Sequence, residues 1–171
     1  TSFNDNDGVP STANSWLLKQ VLRDEWGFDG MVVTDWNSAG ELIAHGFAAD
    51  EADAARLSLT AGVDMDMMSH TYFNHIADLI RDGKVSEKQL DDAVRNILRL
   101  KFRLGLFDNP YVYPELSTRV NYCEEHLAAA RRCALESAVL LQNENRVLPF
   151  DPSKIKRLLV TGPLADAPYE Q

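Results

Sequence analysis

The hydrophobic pattern of this chain switches period several times, and each switch marks an element. Thr1 to Asn4 reads as the end of a strand, followed by the turn chemistry of "DNDGVP", Asp5 to Pro10. Asn14 or Ser15 can cap a helix whose apolar stripe runs from Trp16 to Leu22, and Gly27 stops it. Met31 to Thr34 is a continuous apolar run, the pattern of a strand covered on both faces. After a loop of about a dozen residues, Asp50 to Ala61 is helical with Ala54, Leu57 and Leu59 on its apolar side, and Gly62 closes it. "VDMDM", Val63 to Met67, is a short candidate strand. Tyr72 to Ile80 and Glu87 to Leu104 are amphipathic helices, the longer one carrying Leu90, Val94, Ile97, Leu98 and Phe102 on one face. Strands alternating with helices predict parallel pairing and an α/β architecture.

Past Gly105 the texture changes. "LFDNPYVYPELSTRVNY" has prolines, tyrosines and no helical period, which reads as a linker. A helix from Glu124 to Ala138, the apolar run Val139 to Leu141 and a last strand at Arg157 to Val160 follow.

Composition narrows the classes of function. The 171 residues carry a formal charge of −9 with 45% hydrophobic content, those of a folded protein whose field repels phosphate backbones, so nucleic acid is not an expected partner. No apolar run approaches the roughly 18 residues of a membrane span, and Thr1 to Asn4 does not have the layout of a signal peptide. Cys123 and Cys133 stand ten residues apart on one predicted helix. That spacing is about 15 Å, too far to pair, so both read as free, buried thiols. The histidines have no metal-ligand spacing. "VTGPLAD" offers one glycine followed by Pro163, which lacks the amide a phosphate cradle uses.

Chemistry concentrates at "MVVTDW", where a strand-like run ends on Asp35 and Trp36. Ligands of parallel α/β folds bind beyond the carboxyl ends of the strands. Asp35 occupies that position, and Trp36 offers a flat face for stacking on a sugar or a base. A capping carboxylate beside a core tryptophan is the alternative.

The series "TSFNDNDGVPSTANSWLLKQVLRDEWGFDGMVVTDW" resembles glycoside hydrolase family 3, and "AGVDMDM", "GKVSEKQLDDAVRNILRLKFRLGLFDNP", "ESAVLLQNENRVLPF" and "LLVTGPLAD" match that family in order. Among its members the turns look most like the bacterial periplasmic β-glucosidase type. The resemblance implies the C-terminal part of a (β/α)8 TIM-like barrel at residues 1–107, a linker at 108–122, and the opening of a second α/β sandwich domain at 123–171. It implies a retaining β-glucosidase with Asp35 as nucleophile. Trp36, Phe3 and Met67 fall among the substrate-binding residues, Phe3 standing where the family often has Tyr, and Asp64 reads as a structural carboxylate. No cofactor or metal is expected. The expected partners are a β-glucoside or oligosaccharide and the remaining segments of the same enzyme, which hold the acid/base Glu and the other sugar ligands. The same resemblance implies a periplasmic or secreted location. A family 3 β-xylosidase, a β-N-acetylglucosaminidase and a non-catalytic segment that only completes a barrel are the alternatives.

Overall fold

Three helices whose ends are written in the sequence build most of the first unit. In the computed structural model, which describes residues 1–167, the chain divides into Thr1–Val112 and Tyr113–Gln171. Helix α2, Glu51–Ala61, begins where the Asp50 carboxylate accepts from Asp53 N at 2.8 Å and ends at Gly62, whose φ of +109° suits glycine. Helix α3 spans Thr71–Arg81. Helix α4, Glu87–Arg103, opens with a capping box in which Ser86 and Gln89 satisfy each other's amides. A further short helix, α1, Glu41–Ala44, lies within the predicted loop. Trp16–Glu25 is helical as expected but wound with i→i+5 pairing, Trp26 N reaching Val21 O, and Asn14 Oδ1 accepts from Leu17 N at its start.

These helices meet through small and branched residues. Ala55 and Leu59 of α2, Ile76 and Leu79 of α3, Val85, and Ala93 of α4 form one buried cluster. Ala13, Leu42, Ala48 and Ala54 form a second, and Leu18, Val32, Ala61 and Val63 a third. Each fully buried Leu or Ile contributes about 1.5–3 kcal/mol, so removing Leu59 or Leu79 loosens the junction of three helices at once.

Strand structure is sparser than the pattern predicts. Val33 and Met65 form a single parallel bridge, flanked by Thr34 N to Met65 O at 3.0 Å and Met65 N to Val32 O at 3.1 Å. Thr1–Asn4 is not a strand. Thr1 N lies 2.7 Å from Val33 O, while the pairing shifts one step on, to an antiparallel hairpin of β1, Asp5–Asn6, with β2, Val9–Pro10. Asp7 and Gly8 turn it with φ of 53° and 78°, the left-handed pair that a tight hairpin requires. Met31 to Thr34 is not covered on both faces either: Val32 and Thr34 are buried, Met31 and Val33 half-buried. The expected apolar face of α4 is also largely open, with Val94, Leu98 and Phe102 exposed and Ala93 buried.

In the second unit, helix α5, Pro114–Val120, lies inside the stretch read as a linker, with Pro114 at its first turn. Helix α6, Glu124–Ser137, matches expectation. Val139 to Leu141 and Leu158 to Val160 are exposed and form no ladder among the described residues, so apolar composition there did not yield a strand. Cys123 precedes α6 half-buried, and Cys133 is exposed rather than buried.

Candidate active site at the end of the parallel pair

The carboxyl end of the 32–34 segment is held from two sides. Thr34 is 1% exposed, and its Oγ1 accepts from Met67 N at 2.7 Å. Asn37, with φ of 58°, sends its amide to Met67 O at 2.9 Å. Between these anchors Asp35 and Trp36 are exposed. Trp36 N donates to Asp35 Oδ1 at 2.6 Å, a bond of the short, charge-assisted kind. Ser38 N closes the turn onto Asp35 O at 3.1 Å. Below it, Ser38 Oγ and Thr12 Oγ1 are 2.9 Å apart and both buried, and Thr1 Oγ1 lies 2.8 Å from Thr12 Oγ1. A buried hydroxyl must find partners, and this line of hydroxyls ties the Asp35 turn to the segment after the hairpin.

Trp36 is 61% exposed and therefore free of any core role within the first unit. Phe3 and Met67 are also open, at 37% and 38%. Met67 faces the backbone around Asp35, its amide on Thr34 Oγ1 and its carbonyl receiving Asn37 N. What these four residues share is exposure.

The neighbouring carboxylates are spoken for. Asp64 is buried, accepting from Arg23 Nη2 at 2.8 Å, Val32 N at 2.7 Å and Asn96 Nδ2 at 2.9 Å. Asp66 accepts from the Ser69 hydroxyl, from Thr71 Oγ1 at 3.1 Å and from Tyr72 N at 3.4 Å, which caps α3. Tyr72 donates its own hydroxyl to Val63 O at 3.0 Å, and burial, with Asp66 and Asp64 nearby, pushes that phenol well above its ordinary range. Asp66 and Thr34 were not singled out by sequence; the helix start at Thr71 is the signal for the first.

Concavity and candidate chemistry are separated. A cleft of about 340 Å³ is lined by Lys19, Arg23, Asp64, Gln89, Asp92 and Asn96 among others, on the side of the Asp64 ion pair. A second, of about 310 Å³, is lined by Met65, Asp66, Met68, Tyr72 and Phe73 among others. Asp35 and Trp36 line neither. Among the described residues no cluster of His, Cys, Asp and Glu has the geometry to hold a metal ion, and no helix is long and apolar enough to cross a membrane.

Comparison with known proteins adds the context. The Glycosyl hydrolase family 3 N terminal domain profile matches residues 1–100. A periplasmic beta-glucosidase of Salmonella typhimurium is 46% identical over 171 residues, covering 97% of this chain and 22% of its own length. A beta-xylosidase of Formosa agariphila is 41% identical over 169 residues, covering 94% of this chain and 23% of its own. Among solved structures, a beta-glucosidase from Listeria innocua in complex with glucose superposes with a TM-score of 0.76 at 44% identity, over 88% of this chain and 21% of that one. The chain thus spans about a fifth of the length of the relatives it matches.

Proposed function

The chain belongs to glycoside hydrolase family 3, and we propose that it supplies the nucleophile, Asp35, of a retaining β-glucosidase acting on terminal β-glucosyl residues. The observation that carries the reading is the placement of Asp35: an exposed carboxylate at the end of the parallel 32–34 segment, with the chain anchored on both sides of it and flanked by the open ring of Trp36. A nucleophile fixed by hydrogen-bonded backbone is held near attack geometry, which is where much of the rate advantage of an enzyme arises.

In this reading an Asp35 oxygen forms a bond to the anomeric carbon from below the ring. The glycosidic C–O bond breaks, its electron pair leaves with the aglycone oxygen, and a second carboxyl about 5–5.5 Å from the first supplies the proton. Water then attacks the glycosyl ester, the same second group takes its proton, and Asp35 is regenerated. Neither step calls on a metal or cofactor. The second carboxyl and the other sugar ligands belong to polypeptide outside these 171 residues, consistent with the chain's one-fifth share of its relatives. Residues 1–107 are then the C-terminal part of a TIM-like barrel, 108–122 a connection, and 123–171 the opening of a second α/β domain. Trp36, Phe3 and Met67 stand around the sugar. The name of the Salmonella relative supports a periplasmic or secreted location.

Similarity to a beta-xylosidase at 41% identity favours xylosides as the second candidate substrate. A 2-fluoro-2-deoxy-glucoside tests the assignment: the stable glycosyl ester should appear on the peptide containing Asp35, and Asp35→Asn should be neither active nor labelled. A label on another peptide removes the proposal, and preferential labelling by the xylose analogue shifts it to the second substrate.

A further inference from the structure

With Val33 opposite Met65 and Thr34 N on Met65 O at 3.0 Å, a regular parallel pair has its next two rungs fixed. They run from Met67 N to the Thr34 carbonyl and from Trp36 N to the Met67 carbonyl. Neither forms. Met67 N donates to the Thr34 side chain, Oγ1, at 2.7 Å. The Met67 carbonyl receives Asn37 N at 2.9 Å, one residue late. One extra residue is thereby inserted on the 32–37 side, a bulge in a parallel pair, and Asn37 absorbs the bend at φ of 58°, a conformation Asn tolerates better than most. Trp36 N, displaced from the ladder, donates to Asp35 Oδ1 at 2.6 Å.

We propose that Thr34 is a positioning residue for Asp35: its hydroxyl takes the Met67 amide in place of the strand carbonyl, which shifts the following rung to Asn37 and frees the Trp36 amide to orient the Asp35 carboxylate. The inference rests on the reading of Asp35 as nucleophile. With Oδ1 held by a backbone N–H, the carboxylate has one fixed plane, and Oδ2 is the oxygen presented for attack. The Thr34 side chain is buried, so its hydroxyl acts only through the strand end and not on a sugar. Loss of the hydroxyl leaves the Met67 amide without its acceptor and favours the regular rungs, which rotate Trp36 N back toward Met67 and remove the restraint on Asp35.

The test compares Thr34→Val, Thr34→Ser and Asp35→Asn in the enzyme that carries this chain, with an activated aryl β-glucoside as substrate. Thr34→Val keeps the shape and should lower kcat by roughly ten- to hundredfold, the scale of a small misplacement of a reacting group, with KM and inhibition by glucose little changed. Thr34→Ser should recover most of that loss. Full activity in Thr34→Val, or equal impairment in Val and Ser variants, overturns the proposal while leaving the nucleophile reading intact. Activity surviving in Asp35→Asn removes the nucleophile reading itself. Should Thr34→Val not fold, residue-resolved amide exchange in the unaltered protein and in Asp35→Ala decides. Met67 and Asn37 amides should be slow, and Trp36 should become fast in Asp35→Ala. A Trp36 amide that stays slow in Asp35→Ala marks a regular ladder and sinks the proposal.

Discussion

Arg23 and Asp64 form the ion pair that joins the helix before the parallel pair to the pair itself, 2.8 Å apart with side-chain exposures of 22% and 5%. The same Asp64 oxygen accepts from Val32 N, and the other from Asn96 of α4, while Arg23 also donates to Gly30 O at 3.0 Å. One carboxylate thus fixes three elements against one another.

Breaking that pair from one side leaves the Arg23 guanidinium without its carboxylate partner and the Val32 and Asn96 amides without their acceptor. Asp64→Ala should therefore destabilise the protein by about 3–5 kcal/mol, the cost of stranding a buried partner. Replacing both residues with apolar ones of similar volume, Arg23→Met with Asp64→Leu, should cost less than the sum of the single changes. Urea unfolding of the unaltered protein, Arg23→Met, Asp64→Leu and the double variant gives the coupling directly. Additive effects mean that the two side chains act independently.

The helices were legible and the strands were not, for reasons visible in single residues. Asp50, Gly62 and the Ser86–Gln89 box are local signals, satisfied within a turn of the helix that they bound. The structural role expected of Asp64 is also visible, as its three donors show. A strand has no such local account. Met31 to Thr34 and Val63 to Met67 find one bridge between them, and Leu158 to Val160 finds none among the described residues, because apolar residues state a need for burial without specifying the neighbour. Helix α5 was missed because its start signal, Pro114 followed by Glu115, sits among tyrosines and prolines that read as irregular. At the candidate site, Asp35 and Trp36 stood out by position, whereas Thr34 looked like the last apolar residue of a strand and its hydroxyl contact depends on a residue 33 positions away.

Acid should loosen the start of α2. The Arg56 hydrogen bond holds the Asp53 carboxyl below its ordinary value, helped by the Ala49 amide and opposed by partial burial. A depressed folded value means the contribution is fully present above about pH 4, the usual unfolded carboxylate value, and is lost as pH falls through the lower folded value. Asp53→Asn keeps an acceptor oxygen but not the charge. Its urea midpoint should lie below that of the unaltered protein at pH 6, and the gap should close below about pH 4. A gap that persists at lower pH assigns the effect to shape instead.

Trp36 has more than half of its surface open within its unit, so its removal should cost little stability. If it forms a wall of the sugar site, Trp36→Ala should raise KM for an aryl β-glucoside by roughly tenfold or more, on the scale of about 1–2 kcal/mol for a lost apolar contact face. Melting temperature and KM together separate the roles. A large fall in the first with an unchanged second places the ring in packing.

The stereochemical outcome follows from the role given to Asp35 and does not depend on which sugar is preferred. A carboxylate that attacks carbon inverts the anomeric centre once, and the water that releases the ester inverts it again, so the first-formed product should have the β configuration. A carboxylate that only activates water inverts once and gives the α product, with its two carboxyls about 6.5–9.5 Å apart to leave room for that water. The Trp36 amide bond to Asp35 Oδ1 at 2.6 Å suits the first role: it restrains one oxygen and leaves the other aimed in a fixed plane, the geometry that direct attack on carbon requires. Proton NMR in the first minutes of hydrolysis, before mutarotation mixes the anomers, reads the answer from the anomeric doublets. An initial α signal assigns Asp35 the role of base and removes the covalent intermediate, whatever the substrate.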